Sequence, residues 1–198
     1  MTTRLTRPQQ VERNRTLLLD AARRTFLARG YAGATIDAIA EEAGFSKGVV
    51  YSQFAGKADL FLTLLEQRIV DRAAENGRLV AEHSGPDALR SLLRTSARRS
   101  RLGSGWGRLL IEFRLVAARD PELNARYRVL HDRTIDLFAE TVTAALERDG
   151  LTPAYPARIF AQLVLALDTG VVLERAADPE ALPLELAEHV LARLVAPR

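Results

Sequence analysis

The chain has 198 residues, of which 47% are apolar and 27% charged, a composition that argues against intrinsic disorder. It contains no cysteine, which excludes disulfides and thiolate metal sites, and because its start lacks the apolar run of a signal peptide we expect none. The longest apolar segment, residues 159–173, is too short and too polar to span a bilayer. We therefore expect a cytoplasmic protein without a membrane partner.

The net charge of +3 lies in the first third of the chain. Residues 1–59 hold nine basic and six acidic residues, whereas the remaining 139 residues hold 19 of each. Two of the 28 basic residues are lysines, Lys47 and Lys57, and both lie in this first third. A local basic excess is what binding to a phosphate backbone requires, and lysine is a compact partner for phosphate. A surplus of three charges also arises by chance, so it does not decide the function alone.

Helical patterns follow one another along the whole chain. Gly30 is predicted to stop the first helix, and Thr35 can cap the second. Gly44 suits the left-handed end of that second helix, and Ser46 can cap a third. No segment alternates polar and apolar residues with a period of two, so we predict an all-α fold of about nine helices. The predicted helices span residues 11–28, 36–43, 47–54, a stretch from 57, a segment after Pro86, and residues 106–118, 121–148, 156–176 and 184–195.

Two short helices joined by a glycine-containing turn are the outline of a helix-turn-helix, here at about residues 35–54. Its second helix enters the major groove, so side chains at its start must be small, polar or aromatic rather than acidic. No acidic residue occurs between Ala43 and Lys57. The residues at the predicted position are Ser46, Lys47, Gly48, Tyr51, Ser52 and Gln53.

This segment resembles the N-terminal domain of the tetracycline repressor (TetR) family. The resemblance is carried by TIDAIAEEAGFSKGVVYSQF at residues 35–54, GKADLF at 56–61 and AARRTFLARGY at 21–31, within residues 12–65. It implies a three-helix DNA-binding domain at residues 1–56. It also implies a helical ligand-binding and dimerisation domain at residues 57–198.

The resemblance assigns roles to individual residues. Thr35, Tyr51 and Lys57 would contact phosphates. The groove would be lined by Ser46, Lys47, Gly48, Ser52 and Gln53. Glutamine is also chemically suited to a bidentate contact with adenine, although the family often has His or Tyr at this position and an acidic residue at that of Ala58. Three alternatives stay open, namely a packing role for Tyr51, a merely solvated Lys57, and an N-terminal arm that is either a disordered tail or a minor-groove contact.

The predicted helix at residues 156–176 carries apolar residues all around, which requires that all its sides be buried. Either a second subunit covers it or it forms the core of its own domain. In the resembling family the last two helices form a two-fold dimer interface, which implies a homodimer and a palindromic operator in double-stranded DNA. The predicted interface residues are Leu163, Leu167, Val171, Val190, Leu191 and Leu194.

The family also binds a small molecule among its middle helices, here about residues 86–149. The predicted lining residues are Trp106, Phe113, Tyr127 and His131, although an aromatic at helical spacing is more often a core residue. Glu112, Arg114 and Asp168 are polar residues in apolar surroundings, so each either orients a ligand or pairs internally.

Nothing in the sequence favours an enzyme. It has no Gly-x-Ser-x-Gly and no phosphate-binding glycine-rich loop, and its three histidines lie far apart. We therefore predict neither a catalytic residue nor a cofactor nor a metal. The expected function is that of a repressor that an unidentified small molecule releases from its operator. The alternative is a helical ligand-binding or protein-interaction module without specific DNA binding.

Overall fold

The computed structural model describes residues 6–83, 105–148, 150 and 155–183, together with 87, 88, 91, 92, 94, 95 and 98. The described residues contain seven complete helices and no strand, which confirms the predicted all-α class. The ninth predicted helix, residues 184–195, lies outside the described part. The helices are α1 (Arg7–Gly33), α2 (Ile36–Ala43), α3 (Lys47–Tyr51), α4 (Lys57–Glu82), α5 (Trp106–Ala117), α6 (Pro121–Glu147) and α7 (Ala157–Ala177).

Helix α1 begins earlier than its apolar pattern predicts, because a capping box stabilises its start. The Gln9 backbone N–H donates to the Thr6 hydroxyl, and the Thr6 N–H donates to the Gln9 side chain at 2.9 Å. At the other end, Gly30 has φ 71° and ψ 172°, outside the helical region. The predicted stop at Gly30 is therefore a kink, after which one more helical turn runs to Gly33.

Helices α2 and α3 form the predicted helix-turn-helix. Thr35 caps α2 through a bond from the Ala38 N–H, and Gly44 ends it with φ 72°. The prediction that α3 extends to residue 54 is wrong, because this helix ends at Tyr51. The backbone after Tyr51 forms a tighter turn, because the Gln53 N–H donates to the Val50 carbonyl, three residues earlier instead of four. The Ser52 hydroxyl donates to the Val49 carbonyl.

One apolar core joins the first three helices to the rest of the chain. Phe26 of α1, Phe61 of α4 and Phe113 of α5 are each 0% exposed, and the rings of Phe61 and Phe113 stack at 4.2 Å. A second cluster joins the end of α4 to α6 and α7, and includes Val142 and Phe160. The predicted division after residue 56 stays a prediction, because apolar packing is continuous across it.

The longest helices carry charged and polar residues throughout. Helix α7 contains Arg158, Asp168 and Glu174, and α6 and α4 are more polar still. Within the part of the chain that the structure describes, no helix is long and apolar enough to cross a membrane.

Candidate DNA-binding surface and ligand cavity

The helix-turn-helix presents one face to solvent and one to the core. Val50 and Phe54 are 0% and 2% exposed and hold α3 against the rest of the domain. The opposite face is therefore exposed, and Tyr51 on it is 57% exposed, which disfavours a packing role. This surface, which we call the α3 face, brings together the exposed residues Ser46, Lys47, Gly48, Tyr51 and Ser52.

Thr35 and Lys47 lie beside the α3 face. The Thr35 oxygen accepts the Ala38 N–H at 3.2 Å, which leaves the hydroxyl proton to be donated to a phosphate. The Lys47 ammonium pairs with the Asp37 carboxylate at 2.5 Å, and both side chains are more than half exposed. Such a surface pair is worth only about 0–1 kcal/mol, so the lysine can exchange this carboxylate for a phosphate at little cost.

Gln53 is placed differently from the other predicted groove residues. Its side chain is half-buried, and its Oε1 is buried without a hydrogen-bond partner among the described residues. Its backbone carbonyl accepts from Arg15, whose guanidinium lies over the Phe54 ring at 4.4 Å. A contact between the Gln53 amide and a base therefore requires the side chain to rotate outward.

Lys57 is neither solvated nor pointing away from the protein. Its ammonium donates to the carbonyls of Tyr31 at 2.9 Å, Ala34 at 3.0 Å and Ala32 at 3.4 Å. It also lies 4.6 Å from the centre of the Tyr31 ring. Burial lowers the pKa of Lys57 from its usual range. The lysine thus ties the start of α4 to the carbonyls at the end of α1.

Replacing Lys57 with alanine is expected to lower the free energy of unfolding by about 1–2 kcal/mol, because these carbonyls lose a charged donor. The matched control is Lys47→Ala, which removes only an exposed ion pair and should change stability by less than about 0.5 kcal/mol. Urea unfolding of both variants measures the difference. Equal stability of the two variants would contradict a structural role for the bonds between Lys57 and the carbonyls at the end of α1.

A cavity of about 650 Å³ lies between α4, α5, α6 and α7. Of the predicted lining residues, Trp106, Tyr127 and His131 border it. Phe113 does not, because its side chain points into the aromatic core against Phe61. The size is ordinary for a small-molecule site.

From the sequence, Asp168 is the one candidate ligand contact on α4 and α7, and it borders the cavity, whereas the other wall residues of these two helices are not predicted. Arg68 and Arg72 of α4, and Val172 and Arg175 of α7, border the cavity. The available signal was the pair of arginines four residues apart on α4, which places two charges on one face of a helix with an apolar stripe.

Burial changes the titration of groups in the cavity wall. It lowers the pKa of Arg72, against the opposing effects of Glu75 and Asp168. Burial, followed by the nearby Arg114 charge, lowers the pKa of His131 from its usual range. This shift favours the neutral imidazole, which can both accept and donate a hydrogen bond.

Helix α5 contacts both the cavity and α1. Trp106, Leu110 and Arg114 border the cavity. Glu112 points elsewhere, and its Oε2 accepts the Tyr31 backbone N–H at 2.8 Å, next to the kink in α1. Of the two roles predicted for Glu112, the structure shows the internal pairing.

Helix α7 is not buried on all sides by the residues that the structure describes. Ile159, Leu163 and Leu173 are 46%, 45% and 52% exposed and share one face at helical spacing. Of the predicted interface residues on this helix, Leu163 lies on that face, Leu167 is partly buried, and Val171 is 6% exposed within the chain. Val190, Leu191 and Leu194 lie outside the described residues.

Comparison with known proteins places the chain in a family. The sequence profile of the bacterial regulatory proteins of the tetR family matches residues 18–64. The profile of the BetI-type transcriptional repressor C-terminal domain matches residues 86–197. The first profile thus covers the helix-turn-helix, and the second covers most of the residues that border the cavity.

Individual relatives agree with these profiles. The chain is 30% identical over 132 residues to the HTH-type transcriptional repressor AcnR of Corynebacterium diphtheriae, which covers 67% of the chain and 63% of AcnR. It thus matches slightly less than two thirds of the length of that relative.

Solved structures share the fold at lower identity. The fatty acid degradation regulator FadR from Bacillus halodurans has a TM-score of 0.73 at 17% identity, covering 93% of this chain and 97% of FadR. The regulator FadR from Bacillus subtilis, in complex with stearoyl-CoA, has a TM-score of 0.71 at 16% identity, covering 91% and 97%. The resemblance stated from the helix-turn-helix is confirmed by the two profiles, and the chain belongs to the TetR family of bacterial regulatory proteins.

Proposed function

We propose that the protein is a homodimeric, DNA-binding transcriptional repressor that a small molecule releases from a palindromic operator. The observation that carries this proposal is the α3 face, where exposed polar, aromatic and basic residues stand on a helix anchored by Val50 and Phe54. A recognition helix needs this combination of a fixed inner side and a free outer side.

The proposed phosphate contacts are Thr35, Tyr51 and Lys47, whose polar groups are exposed. Ser46, Gly48 and Ser52 would lie along the groove, where their small size permits close approach. Gln53 would contribute after its side chain rotates. Lys57 would reach a phosphate only by giving up part of its carbonyl contacts, so we propose that it mainly positions α4.

The exposed apolar face of α7 supports a dimer. Ile159, Leu163 and Leu173 form a stripe along this helix, with Gly170 on the same side permitting close helix approach. A two-fold axis at this stripe would make the two recognition helices symmetric, and a symmetric protein matches a palindromic site.

Helix α5 supports release by a ligand, because one helix borders the cavity and also holds α1 through Glu112. A ligand that shifts α5 would change the orientation of α1 and, with it, the distance between the two recognition helices. Moving such a switch from 1:99 to 99:1 requires about 5.5 kcal/mol of differential affinity. The complex of the FadR neighbour with stearoyl-CoA supports a small-molecule ligand for this chain also.

The test is binding of the purified protein to tiled DNA fragments that flank its own gene, at fixed salt. Tyr51→Ala should weaken binding to the selected fragment at least about tenfold, since each protomer loses a contact worth about 1–2 kcal/mol. The matched control is Tyr155→Ala, because Tyr155 is 49% exposed and lies outside the helix-turn-helix.

Two results would contradict the proposal. One is the absence of any fragment bound more tightly than random DNA, which would favour the ligand-binding or protein-interaction module. The other is an equal affinity of the Tyr51 and Tyr155 variants, which would mean that the α3 face does not meet DNA.

A further inference from the structure

We propose that the cavity binds an organic anion with an apolar body, the anionic group lying between Trp106 and Arg175, a proposal that rests on the ligand-released repressor proposed above. The anion would accept hydrogen bonds from the indole and guanidinium N–H groups. Its apolar body would extend along the side chains of α4, α5 and α6.

Two buried donors in the cavity wall lack an acceptor. Trp106 is 6% exposed, and its Nε1 has no hydrogen-bond partner among the described residues. The same holds for Nη1 of Arg175. A buried donor without an acceptor costs about 1–3 kcal/mol, and a ligand that supplies the acceptor recovers this energy on binding.

The helices that carry the two donors pack closely against each other. Helix α5 approaches α7 so closely at Gly107 that a Cβ there would lie 2.9 Å from a methyl group of Val172. Trp106 precedes Gly107, and Arg175 follows Val172 by about one helical turn. A single anionic group held between α5 and α7 would therefore meet both donors.

Two hydrogen bonds hold the Arg175 guanidinium in place and leave its Nη1 without an acceptor. Its Nε donates to the Ala181 carbonyl at 2.9 Å, and its Nη2 donates to the Leu182 carbonyl at 2.6 Å. The guanidinium is therefore already oriented before any ligand arrives, and an acceptor at Nη1 would not have to order it.

The charge of the wall selects an anion. Among the described lining residues, five are arginines and two, Asp168 and Glu180, are carboxylates. Burial lowers the pKa of Arg72, and the charges of Glu75 and Asp168 oppose this effect. A bound anion would offset the cost of keeping positive charge in a partly buried site.

Apolar side chains also line the wall, beside polar residues such as Thr134, Gln162 and Thr169, and they suit a hydrocarbon chain or ring. A neutral polar ligand would leave these side chains without a partner, and an inorganic anion would not fill a space of about 650 Å³. The apolar side chains that border the cavity include Leu65, Ile69, Leu110, Leu137, Phe138 and Leu165.

The experiment compares probes with one tail and different head groups: dodecanoate, dodecanol, dodecylamine and dodecanoyl-CoA, each below its micelle-forming concentration. Trp106 is the single tryptophan of the chain, so its fluorescence reports occupancy directly. We expect an anionic probe to bind at least about tenfold more tightly than dodecanol, and dodecylamine to bind more weakly than either. Binding of dodecanoate identifies a carboxylate, whereas binding of dodecanoyl-CoA alone identifies a phosphate-bearing acyl ester.

Two variants locate the anionic group, with affinity measured by calorimetry. Arg175→Gln and Trp106→Phe should each weaken binding of the anionic probe about five- to tenfold, while leaving dodecanol unchanged. The control is Arg133→Gln, because Arg133 pairs with Glu66 outside the cavity and should not affect any probe. Equal affinity for dodecanol and the anionic probes, or failure of every anionic probe to bind, overturns the proposal.

The probe-binding experiment tests the ligand class independently of the proposed repressor function. Probe binding is measured without DNA, and release is measured afterwards on the DNA complex. An anion that binds but does not release DNA would leave the ligand class standing and overturn the ligand-released repressor.

Discussion

Replacing Phe61 with alanine is expected to lower the free energy of unfolding by about 3–5 kcal/mol. Phe61 is 0% exposed and lies at the centre of the aromatic core. Its ring packs against three other rings, with centre-to-centre distances of 5.5 Å to Phe26, 5.3 Å to Tyr31 and 4.2 Å to Phe113. Truncation would open a cavity between α1, α4 and α5, where three helices meet and the backbone has little freedom to collapse inward.

Urea unfolding followed by circular dichroism measures this effect, with Val129→Ala as the control. Val129 is 68% exposed on α6, so its truncation should change stability by less than about 0.5 kcal/mol. A loss below about 1.5 kcal/mol for the Phe61 variant would contradict the prediction, because it would mean that the core does not join the two predicted domains rigidly.

The second large effect is expected from Gly30→Ala, which should lower the free energy of unfolding by about 2–4 kcal/mol. Gly30 has φ 71° and ψ 172°, a backbone conformation that is essentially restricted to glycine. A Cβ at this position would also lie 2.6 Å from Oε2 of Glu112. The carboxylate would have to move and would lose the bond from the Tyr31 N–H.

Gly77→Ala is the matched control within a helix. Gly77 lies in α4 with a helical backbone, and a Cβ there would meet no atom within 4 Å. Alanine should stabilise this position by about 0.5–1 kcal/mol, so the two glycine substitutions have opposite signs. A stabilising Gly30→Ala would contradict the strain argument.

A double-mutant cycle separates backbone strain from the lost contact. With Glu112→Ala already present, Gly30→Ala no longer displaces a carboxylate, so its cost should fall toward the strain alone, about 1–3 kcal/mol. An unchanged cost in both backgrounds would show that Glu112 moves aside freely.

The helix-turn-helix could be predicted from the sequence because its determinants are local. The Thr35 cap and the left-handed Gly44 act within a few residues of their positions, and the structure contains both. The end of α3 was predicted three residues too late, since apolar spacing up to Phe54 does not distinguish a helix from the tight turn that replaces its last residues.

The contacts of Lys57 could not be predicted from its neighbours in the sequence. Its lysine side chain and its position after Gly56 suit a phosphate contact, and both features are visible in the sequence. The carbonyls that it meets belong to residues 23–26 positions earlier, and they converge on the ammonium only because α1 is kinked at Gly30. The position of Phe113 could not be predicted for the same reason. Its helical spacing predicts burial but does not indicate whether its side chain faces the cavity or the aromatic core.

The sequence alone determined the helical class, the family and the position of the helix-turn-helix, because periodicity, caps and a dense motif are properties of neighbouring residues. Only the tertiary structure decided that Lys57 closes α1, that Glu112 joins α5 to α1, and that α4 and α7 add Arg68, Arg72 and Arg175 to the cavity wall. These features depend on distances between segments far apart in the chain, and packing of the shared aromatic core sets those distances.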